Sequence, residues 1–319
     1  MLILCITKPK YSNSGYLYMN QHILLTGATG MLGKDLIKNL LDRGDKVSIL
    51  SRKPQRLKGV KVFLWDVYKQ QIDFNCINGV DAIIHLAGEN ISAGKWTEKR
   101  KKEIIDSRVM SAQLLFKALA ENKNQVKHFI SAAAVGIYGD RGEELLTEIS
   151  SPGSDFMANC CEQWEAAADE FKALGLRVVK IRTGVVLSKQ SGALPAMAKP
   201  IQLFAGAPLG TGKQYIAWIH HIDMTQVYLH LLDRQELFGV YNASSPFPVT
   251  NKKLTKAIAK QLRRPVWPFN IPKAMLKLIL GEMSAVVFNS NNTSAQKLLD
   301  TSFIFTFPHI EEALSDIYR

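Results

Sequence analysis

The chain has 319 residues, of which 47% are hydrophobic and 21% are charged, a balance typical of globular proteins that excludes disorder over most of its length. Forty basic residues against 28 acidic ones give a formal net charge of +12, which can indicate a polyanionic partner. The charge is dispersed, and its densest run, 99–102, opens a predicted helix without interleaved aromatic residues. We therefore expect a solvated helix face that attracts an anionic cofactor, with binding of nucleic acid as the alternative.

No apolar segment reaches the length of a membrane span. The longest, 275–288, is interrupted by Lys277, Gly281 and Glu282, and it is better explained as a packed helix. We therefore expect a soluble protein without a membrane partner, either a monomer or a homodimer.

The cysteines show no spacing typical of metal ligands, and two of them are adjacent, a geometry in which a disulfide rarely forms. They are Cys5, Cys76, Cys160 and Cys161. We expect no metal site and a reducing, cytoplasmic location.

Residues 1–18 precede the first predicted strand. Their apolar stretch, 2–6, is too short for the core of a signal peptide, and Met19 stands where a dinucleotide-binding fold would start. We interpret 1–18 as a loose tail or the product of an upstream start codon.

The stretch 21–33 predicts a strand, a tight turn with glycines at three-residue spacing, and the start of a helix that runs to Gly44. Such a turn directs backbone N–H groups and the positive end of a helix dipole to one place, where a diphosphate fits. Gly27 permits the turn, Gly30 lets the backbone approach phosphate oxygens, and Gly33 allows close packing of the helix. The predicted contacts of this turn are Gly27, Thr29, Gly30, Met31, Leu32 and Gly33.

A second strand, 46–50, leads to Ser51, Arg52 and Lys53, where an NAD-binding fold usually carries a carboxylate that binds the adenosine ribose. Here no carboxylate is present, and the two basic residues would attract a 2′-phosphate. The sequence therefore predicts NADP(H), with a basic turn facing water as the alternative.

Strands are also predicted at 60–64 and 81–86, and their ends fall on the carboxyl edge of a parallel sheet, where ligands bind. Asp66 could accept the adenine amino group, and Leu86, Ala87 and Gly88 could lie against adenosine. The alternative for both segments is an ordinary turn at the end of a strand. A long helix capped by Thr97 and running to about residue 121 could bring Glu103 and Arg108 to the same edge.

Further strands at 126–131 and 176–181 flank a helix at 155–174. Strands that alternate with helices from 22 to 182 predict an α/β fold with a Rossmann-like, doubly wound parallel sheet. We assign 19–187 to this NADP-binding domain, expect 214–243 to return to it, and assign 188–319 to a smaller C-terminal lobe. Within that lobe, 188–212 predicts a loop-dominated cap.

The motifs along the chain together resemble the epimerase-family proteins among the atypical short-chain dehydrogenase/reductases. They include TGATGMLG at 26–33, SRKP at 51–54, HLAGENI at 85–91, EIIDSR at 103–108, SAAAVGIYGDRG at 131–142, RTGVVLS at 182–188 and the C-terminal segment from about 270 to 319. This resemblance implies a Rossmann-like domain with a smaller C-terminal lobe and bound NADP(H). Carried onto this chain, it adds Phe156 to the cofactor contacts.

The resemblance implies less about the reaction, because the catalytic motif is altered. Related extended enzymes use a Ser, a Tyr and a Lys four residues after the Tyr, and the Lys charge lowers the pKa of the phenol. Those positions fall here on Ala132, Phe156 and Cys160. We therefore expect Phe156 to be a wall beside the nicotinamide, and we expect no ordinary Tyr–Lys reduction.

The remaining candidates for proton transfer are Tyr138, Glu89, Cys160 and His220. Tyr138 is the predicted catalytic residue, because it follows the strand expected to end at the nicotinamide; the alternative is a packed loop aromatic. The pair His220 and His221 is expected on a strand with its rings on opposite faces, which argues against a metal site.

Three functions follow from these observations, and the last of them is that the basic surface binds nucleic acid. The first is an NADP(H)-dependent, epimerase-like oxidoreductase that acts on an unknown small molecule. The second is a non-catalytic protein that binds NADPH and regulates a partner.

Overall fold

The computed structural model describes residues 20–319, so the predicted tail 1–18 and Met19 lie outside the described residues. The strands in chain order are β1 (His22–Thr26), β2 (Lys46–Ser51), β3 (Val60–Asp66), β4 (Gln71–Ile72), β5 (Ala82–His85), β6 (His128–Ala134), β7 (Leu145–Leu146), β8 (Arg177–Thr183), β9 (Val185–Leu187), β10 (Tyr215–Ile216), β11 (Trp218–His220), β12 (Gly239–Ala243), β13 (Val249–Thr250) and β14 (Asn292–Thr293).

Short 3₁₀ turns lie between some of the helices and strands, as at Val135–Tyr138 and Glu170–Leu174. In chain order the helices are α1 (Met31–Asp42), α2 (Glu98–Glu121), α3 (Phe156–Asp169), α4 (Ala193–Gln202), α5 (His221–Asp233), α6 (Asn251–Leu262), α7 (Lys273–Leu280), α8 (Ala285–Phe288), α9 (Gln296–Leu299) and α10 (Ile310–Tyr318). Among the described residues, no helix is both long enough and apolar enough to cross a membrane.

The main sheet has eight strands in the order β12, β8, β6, β5, β1, β2, β3, β4, and its neighbouring strands are parallel except for the pair β3 and β4. Strand order reverses at β1, between β5 and β2, which is the arrangement of a doubly wound sheet. The predicted α/β, Rossmann-like fold is confirmed. Strand β12 pairs with β8 at one edge, so the segment that ends at Ala243 does enter this sheet. The exact division into domains stays a prediction.

Helices cover both faces of the sheet because alternate residues of each strand point in opposite directions. On β1, Ile23 and Leu25 pack in a cluster with α1 and α5, whereas Leu24 packs on the other side in a cluster with α2. Central strands such as β5 are buried along their whole length, as expected for a parallel sheet covered on both faces.

A third apolar cluster holds the smaller lobe together, and it joins α4, α6 and α10 around Trp218. The prediction of a loop-dominated cap over 188–212 was wrong in part, since ten of those residues form α4. Its glycines and prolines misled the interpretation: Pro195 lies in the first turn of the helix, where a missing N–H costs little.

Candidate functional site

The glycine turn joins β1 to α1 as the sequence predicts. Gly30 is the N-cap of α1, no side chain caps the helix, and its first turn holds no acidic residue. A Cβ placed on Gly30 would meet only the Gly27 carbonyl oxygen, at 3.4 Å, and Thr29 beside it is exposed. The turn therefore presents the N-terminal N–H groups of α1, at Met31, Leu32 and Gly33, beside open space.

The two flanking glycines are required by close backbone contacts. Gly27 has a φ of +65°, and a Cβ there would lie 2.6 Å from the Leu86 carbonyl oxygen. A Cβ on Gly33 would lie 2.6 Å from Cα of Ala28, so at this position the helix lies directly against the turn. Both positions exclude any larger residue.

A buried hydrogen-bond chain fixes the turn to the end of β5. The Thr26 hydroxyl accepts the N–H groups of Leu86 and Ala87, both at 3.1 Å, and it lies 2.9 Å from Nδ1 of His85. Nε2 of His85 lies 3.1 Å from the Ser111 hydroxyl. Because two N–H groups already donate to Thr26, its proton is free to go to Nδ1 of a neutral His85. Burial lowers the pKa of His85 to about 4, which agrees with a neutral ring.

The end of β2 is basic and open. The Ser51 hydroxyl donates to the Lys53 carbonyl at 2.7 Å and folds the turn back on itself. Arg52 and Lys53 are both exposed. Nη1 of Arg52 donates to Oε1 of Glu89 at 2.9 Å, and Arg100 approaches the other oxygen of Glu89 at 3.4 Å. The turn after β2 contains no carboxylate of its own at the place where a ribose-binding Asp or Glu would stand.

The two predicted residues of α2 differ in their placement. Glu103 accepts a hydrogen bond from Arg100 at 3.0 Å and lies on the outer side of this charge cluster. Arg108 lies directly beneath Gly88, where an added Cβ would be 3.0 Å from its Cζ. Its Nη2 donates to the Glu89 carbonyl at 3.1 Å. Arg108 thus stabilises the loop after β5 through a contact with Gly88 and a hydrogen bond to Glu89.

Asp66 forms hydrogen bonds within the turn that follows β3. Its Oδ1 accepts the N–H groups of Tyr68 and Lys69, both at 3.1 Å. The other oxygen lies 3.7 Å from Nζ of Lys69. The alternative interpretation, an ordinary turn at the end of a strand, accounts for these contacts, and an adenine contact stays a prediction.

Phe156 is the first residue of α3 and lines a cleft of about 530 Å³ between α3 and the C-terminal lobe. Its ring packs edge-on against Trp96, with centroids 4.9 Å apart. The rest of the cleft is formed mainly by Asp155, Met157, Lys273, Lys277, Glu282, Ser284, Ala285 and Asn289. This group was not predicted from the sequence, although the spacing of Lys273 and Lys277 on one helix face was a usable signal.

The acidic side chains of the cleft are engaged by partners, whereas among the described residues its two lysines are not paired with acids. Asp155 is committed to the Ala158 N–H and to Nδ2 of Asn289, and Glu282 pairs with Lys101 at 3.0 Å. Lys273 lies 5.3 Å from the Phe288 ring, and within residues 20–319 neither it nor Lys277 forms an ion pair. The cleft therefore combines aromatic walls with positive charge.

Tyr138 is enclosed in the protein, which argues against the prediction of a catalytic phenol. Its side chain is 0% exposed, because the strand before it runs into a 3₁₀ turn packed inside the protein. The hydroxyl donates to Oδ1 of Asn242 at 2.7 Å and accepts from Nη1 of Arg182 at 2.9 Å. Burial raises the pKa of this phenol, although Arg182 partly opposes the rise. The alternative interpretation, a packed aromatic residue, describes Tyr138.

The other candidates for proton transfer are equally enclosed or engaged. Cys160 is buried against Trp96 and Phe156, and burial raises the pKa of its thiol. His220 is 0% exposed, its Nδ1 accepts the Ile222 N–H at 3.2 Å, and burial lowers its pKa to about 3. Glu89 is partly exposed, but it forms ion pairs with Arg52 and Arg100.

The expected geometry of the histidine pair was wrong. His220 ends β11 and His221 begins α5, so strand alternation does not apply, and the two ring centroids are 4.7 Å apart. His221 instead contacts Asp35 of α1 at 3.0 Å. Within residues 20–319, no three His, Cys, Asp or Glu side chains are grouped to hold a metal ion.

Comparison with protein families gives two matches that together span most of the chain. The family described as the NAD dependent epimerase/dehydratase family matches residues 23–244. A domain of unknown function, DUF1731, matches residues 271–317. The second match covers the helix α7 that lines the cleft.

Several known proteins are similar to this chain over nearly its whole described length. Epimerase family protein YfhF of Bacillus subtilis is 34% identical over 93% of this chain and 97% of its own. The crystal structure of human epimerase family protein SDR39U1 with NADPH has 29% identity and a TM-score of 0.83, covering 93% of this chain and 99% of that one. A nucleoside-diphosphate sugar epimerase from Corynebacterium glutamicum has 32% identity and a TM-score of 0.76, covering 94% of this chain and 58% of its own.

Proposed function

Since the chain belongs to the NAD dependent epimerase/dehydratase family, as the resemblance of its motifs indicates, we propose that it binds NADP(H) and acts as an epimerase-like oxidoreductase on a small molecule. The observation that carries this proposal is the pairing of an open glycine turn with a basic end of β2. A phosphate-bearing dinucleotide is the ligand that needs both. The human relative crystallised with NADPH supports the same choice.

The residues of the site fit this cofactor. The turn from Gly27 to Gly33 would hold the diphosphate, because Gly30 leaves room for it and α1 has no capping side chain. Arg52 and Lys53 would bind the 2′-phosphate, since no carboxylate of this turn repels it. The loop at Leu86–Gly88, fixed by Thr26, would lie along the adenosine.

The substrate would occupy the cleft at Phe156. Nicotinamide, when bound, supplies reversible hydride transfer. The chain itself contributes an apolar wall of Trp96 and Phe156, which excludes water, and the charges of Lys273 and Lys277, which favour an anionic molecule. Phe156 has no proton to give, so substrate orientation rather than a phenolic acid is the main contribution of α3.

A second function is favoured by the engagement of every candidate acid and base. Tyr138, Cys160 and His220 are enclosed, and Glu89 is paired with arginine. A protein that binds NADPH without turnover, and reports the cofactor to a partner, would need none of them.

The experiment that separates these functions measures NADPH binding and NADPH oxidation on the same preparation. The substrates would be carbonyl compounds and nucleotide sugars, with carboxylated and phosphorylated members, and the Gly30→Val variant would be the control for bound cofactor. Turnover that Gly30→Val abolishes would support the oxidoreductase. Saturable binding with no turnover would support the regulator, and absence of NADPH binding would contradict both.

A further inference from the structure

The smaller lobe carries a charge asymmetry that composition alone does not reveal. The segments 171–222 and 237–281 contain no Asp or Glu. The second segment nevertheless contains eight basic residues, Lys252, Lys253, Lys256, Lys260, Arg263, Arg264, Lys273 and Lys277. Residues 237–281 therefore form a stretch of uncompensated basic charge within a chain whose charge is otherwise dispersed.

One face of α6 collects much of this charge. Its apolar residues, such as Leu254 and Ile258, are buried against α4 and α10. Lys256 and Lys260, one helical turn apart, are exposed on the outer side, and the helix ends at the exposed Arg263 and Arg264. Within the described chain these four side chains form no ion pair, whereas Lys253 lies 3.8 Å from Glu311.

Next to this charge lies a cluster of exposed apolar side chains, which we call the aromatic patch. Its members and their exposed fractions are Leu203 at 69%, Phe204 at 56%, Trp267 at 44% and Phe269 at 58%. The patch is continuous: the Trp267 indole N–H donates to the Phe204 carbonyl at 2.9 Å, and the Trp267 and Phe269 rings are 5.0 Å apart. Arg264 lies 4.6 Å from the Phe204 ring and joins the patch to the basic face.

Phe204 is held outward by an unfavourable backbone conformation. It follows the last turn of α4 and has a φ of +61°, in the left-handed region that glycine or asparagine usually occupies at this position. A bulky aromatic residue there costs free energy, and more than half of its ring surface is left in water. The left-handed backbone closes α4, because the N–H groups of Phe204 and Ala205 donate to the Ile201 and Pro200 carbonyls at 3.1 and 2.9 Å. The exposed ring takes no part in this cap, and it is available for a contact outside the chain.

We propose that the aromatic patch and the basic face of α6 form a docking surface for the interface of a membrane that contains anionic lipids. Aromatic and aliphatic side chains partition favourably into the headgroup region of a bilayer, and lysine and arginine attract anionic headgroups. Leu203, an exposed aliphatic side chain with no ring on which a base could stack, favours a bilayer over a nucleic acid. This surface is separate from the cofactor turn, and it departs from the expectation that the protein has no membrane partner.

The test is flotation of the full-length protein with vesicles of phosphatidylcholine alone or of phosphatidylcholine mixed with phosphatidylglycerol. The protein should float only with the mixed vesicles, and added salt should weaken this binding. The Phe204→Asn variant removes the ring but suits the left-handed backbone, and the variant with both Lys256→Glu and Lys260→Glu reverses charge. Each should weaken binding about tenfold.

Matched controls keep the result specific to this surface. Ile149, which is 96% exposed outside the patch, is changed to Asn, and Lys123 and Lys127, exposed on the loop before β6, are changed to Glu. These variants should float as the parent does, and unchanged circular dichroism would show that all are folded. No binding of the parent to mixed vesicles, or equal losses in the control variants, would overturn the proposal. It would also be overturned if duplex DNA, but no vesicle, bound in a way that required Lys256 and Lys260.

Discussion

Arg52 and Glu89 form an ion pair, with 2.9 Å between Nη1 and Oε1, that joins the turn after β2 to the loop after β5. The pair spans the edge of the sheet at which the adenosine half of a dinucleotide would lie. Arg52 remains 71% exposed, so the pair contributes little to stability and can be exchanged for a phosphate. Glu89 thereby holds the arginine in place and also competes with the ligand for it.

The first prediction concerns this competition. Glu89→Gln removes the competing charge, so NADPH should bind about twofold to fivefold more tightly, whereas NADH, which lacks the 2′-phosphate, should bind as before. Isothermal titration calorimetry with both cofactors measures the effect. Glu121→Gln, at the far end of α2, is the matched control. An equal gain for NADH, or weaker NADPH binding, would argue against contact between Arg52 and the 2′-phosphate.

The second prediction separates two glycines of the same turn. Gly30→Val should abolish binding of either cofactor and leave circular dichroism unchanged, because its side chain would extend into open space at the start of α1. Gly27→Ala should destabilise the protein itself, since its Cβ would lie 2.6 Å from the Leu86 carbonyl oxygen. Normal NADPH binding by folded Gly30→Val would place the diphosphate elsewhere.

The third prediction concerns Tyr138, whose hydroxyl bridges Asn242 and Arg182 inside the protein. Tyr138→Phe leaves these partners unsatisfied and should lower the free energy of unfolding by about 1–3 kcal/mol. The rate constant for NADPH oxidation with the best substrate should not fall by the 10²–10⁴-fold or so that loss of a catalytic acid causes. Urea denaturation and turnover, measured side by side, distinguish the two roles; a large loss of rate at unchanged stability would restore Tyr138 as a catalyst.

The fourth prediction is a loss of stability in acid. Burial lowers the pKa of His85 to about 4, below the unfolded value near 6.5, so the unfolded chain binds more protons between these pH values. The stabilisation is therefore present above about pH 6.5 and is lost as the pH falls towards 4, by up to about 1.4 kcal/mol per pH unit for this one group. His128, whose pKa burial also lowers to about 4, adds to the slope.

The His85→Gln variant tests that assignment, because an amide can accept from Thr26 and donate to Ser111 without titrating. Denaturation measured across this pH range should show a shallower slope for the variant, by about one proton. Equal slopes would mean that His85 does not titrate on unfolding.

Much of the fold was predictable because its signals are local. The run His22–Thr26, the glycine turn and the alternation of strands with helices determine a doubly wound sheet. The helix α4 was missed because its Gly-rich and Pro-rich surroundings indicate a loop. Its stability comes from packing of Leu194 and Ile201 against the smaller lobe, which no local pattern reveals.

The candidate site was predictable only where backbone geometry determines it. The residues of the glycine turn lie together because a strand, a turn and a helix place them so. The roles of Tyr138 and Arg108 depend on which residues face them from distant segments, such as Asn242 beside one and Glu89 beside the other. The aromatic patch likewise brings Phe204 next to Trp267, 63 positions along the chain.

The most direct test of the cofactor assignment is a calorimetric titration of NADPH and NADH into the parent protein and into Arg52→Asp. The parent should bind NADPH more tightly, by a difference of roughly 1.5–3 kcal/mol in binding free energy, because arginine pairs with the 2′-phosphate. Arg52→Asp should narrow or reverse that difference while the protein stays folded. Equal affinities of the parent for NADPH and NADH, or tighter binding of NADH, would contradict the assignment.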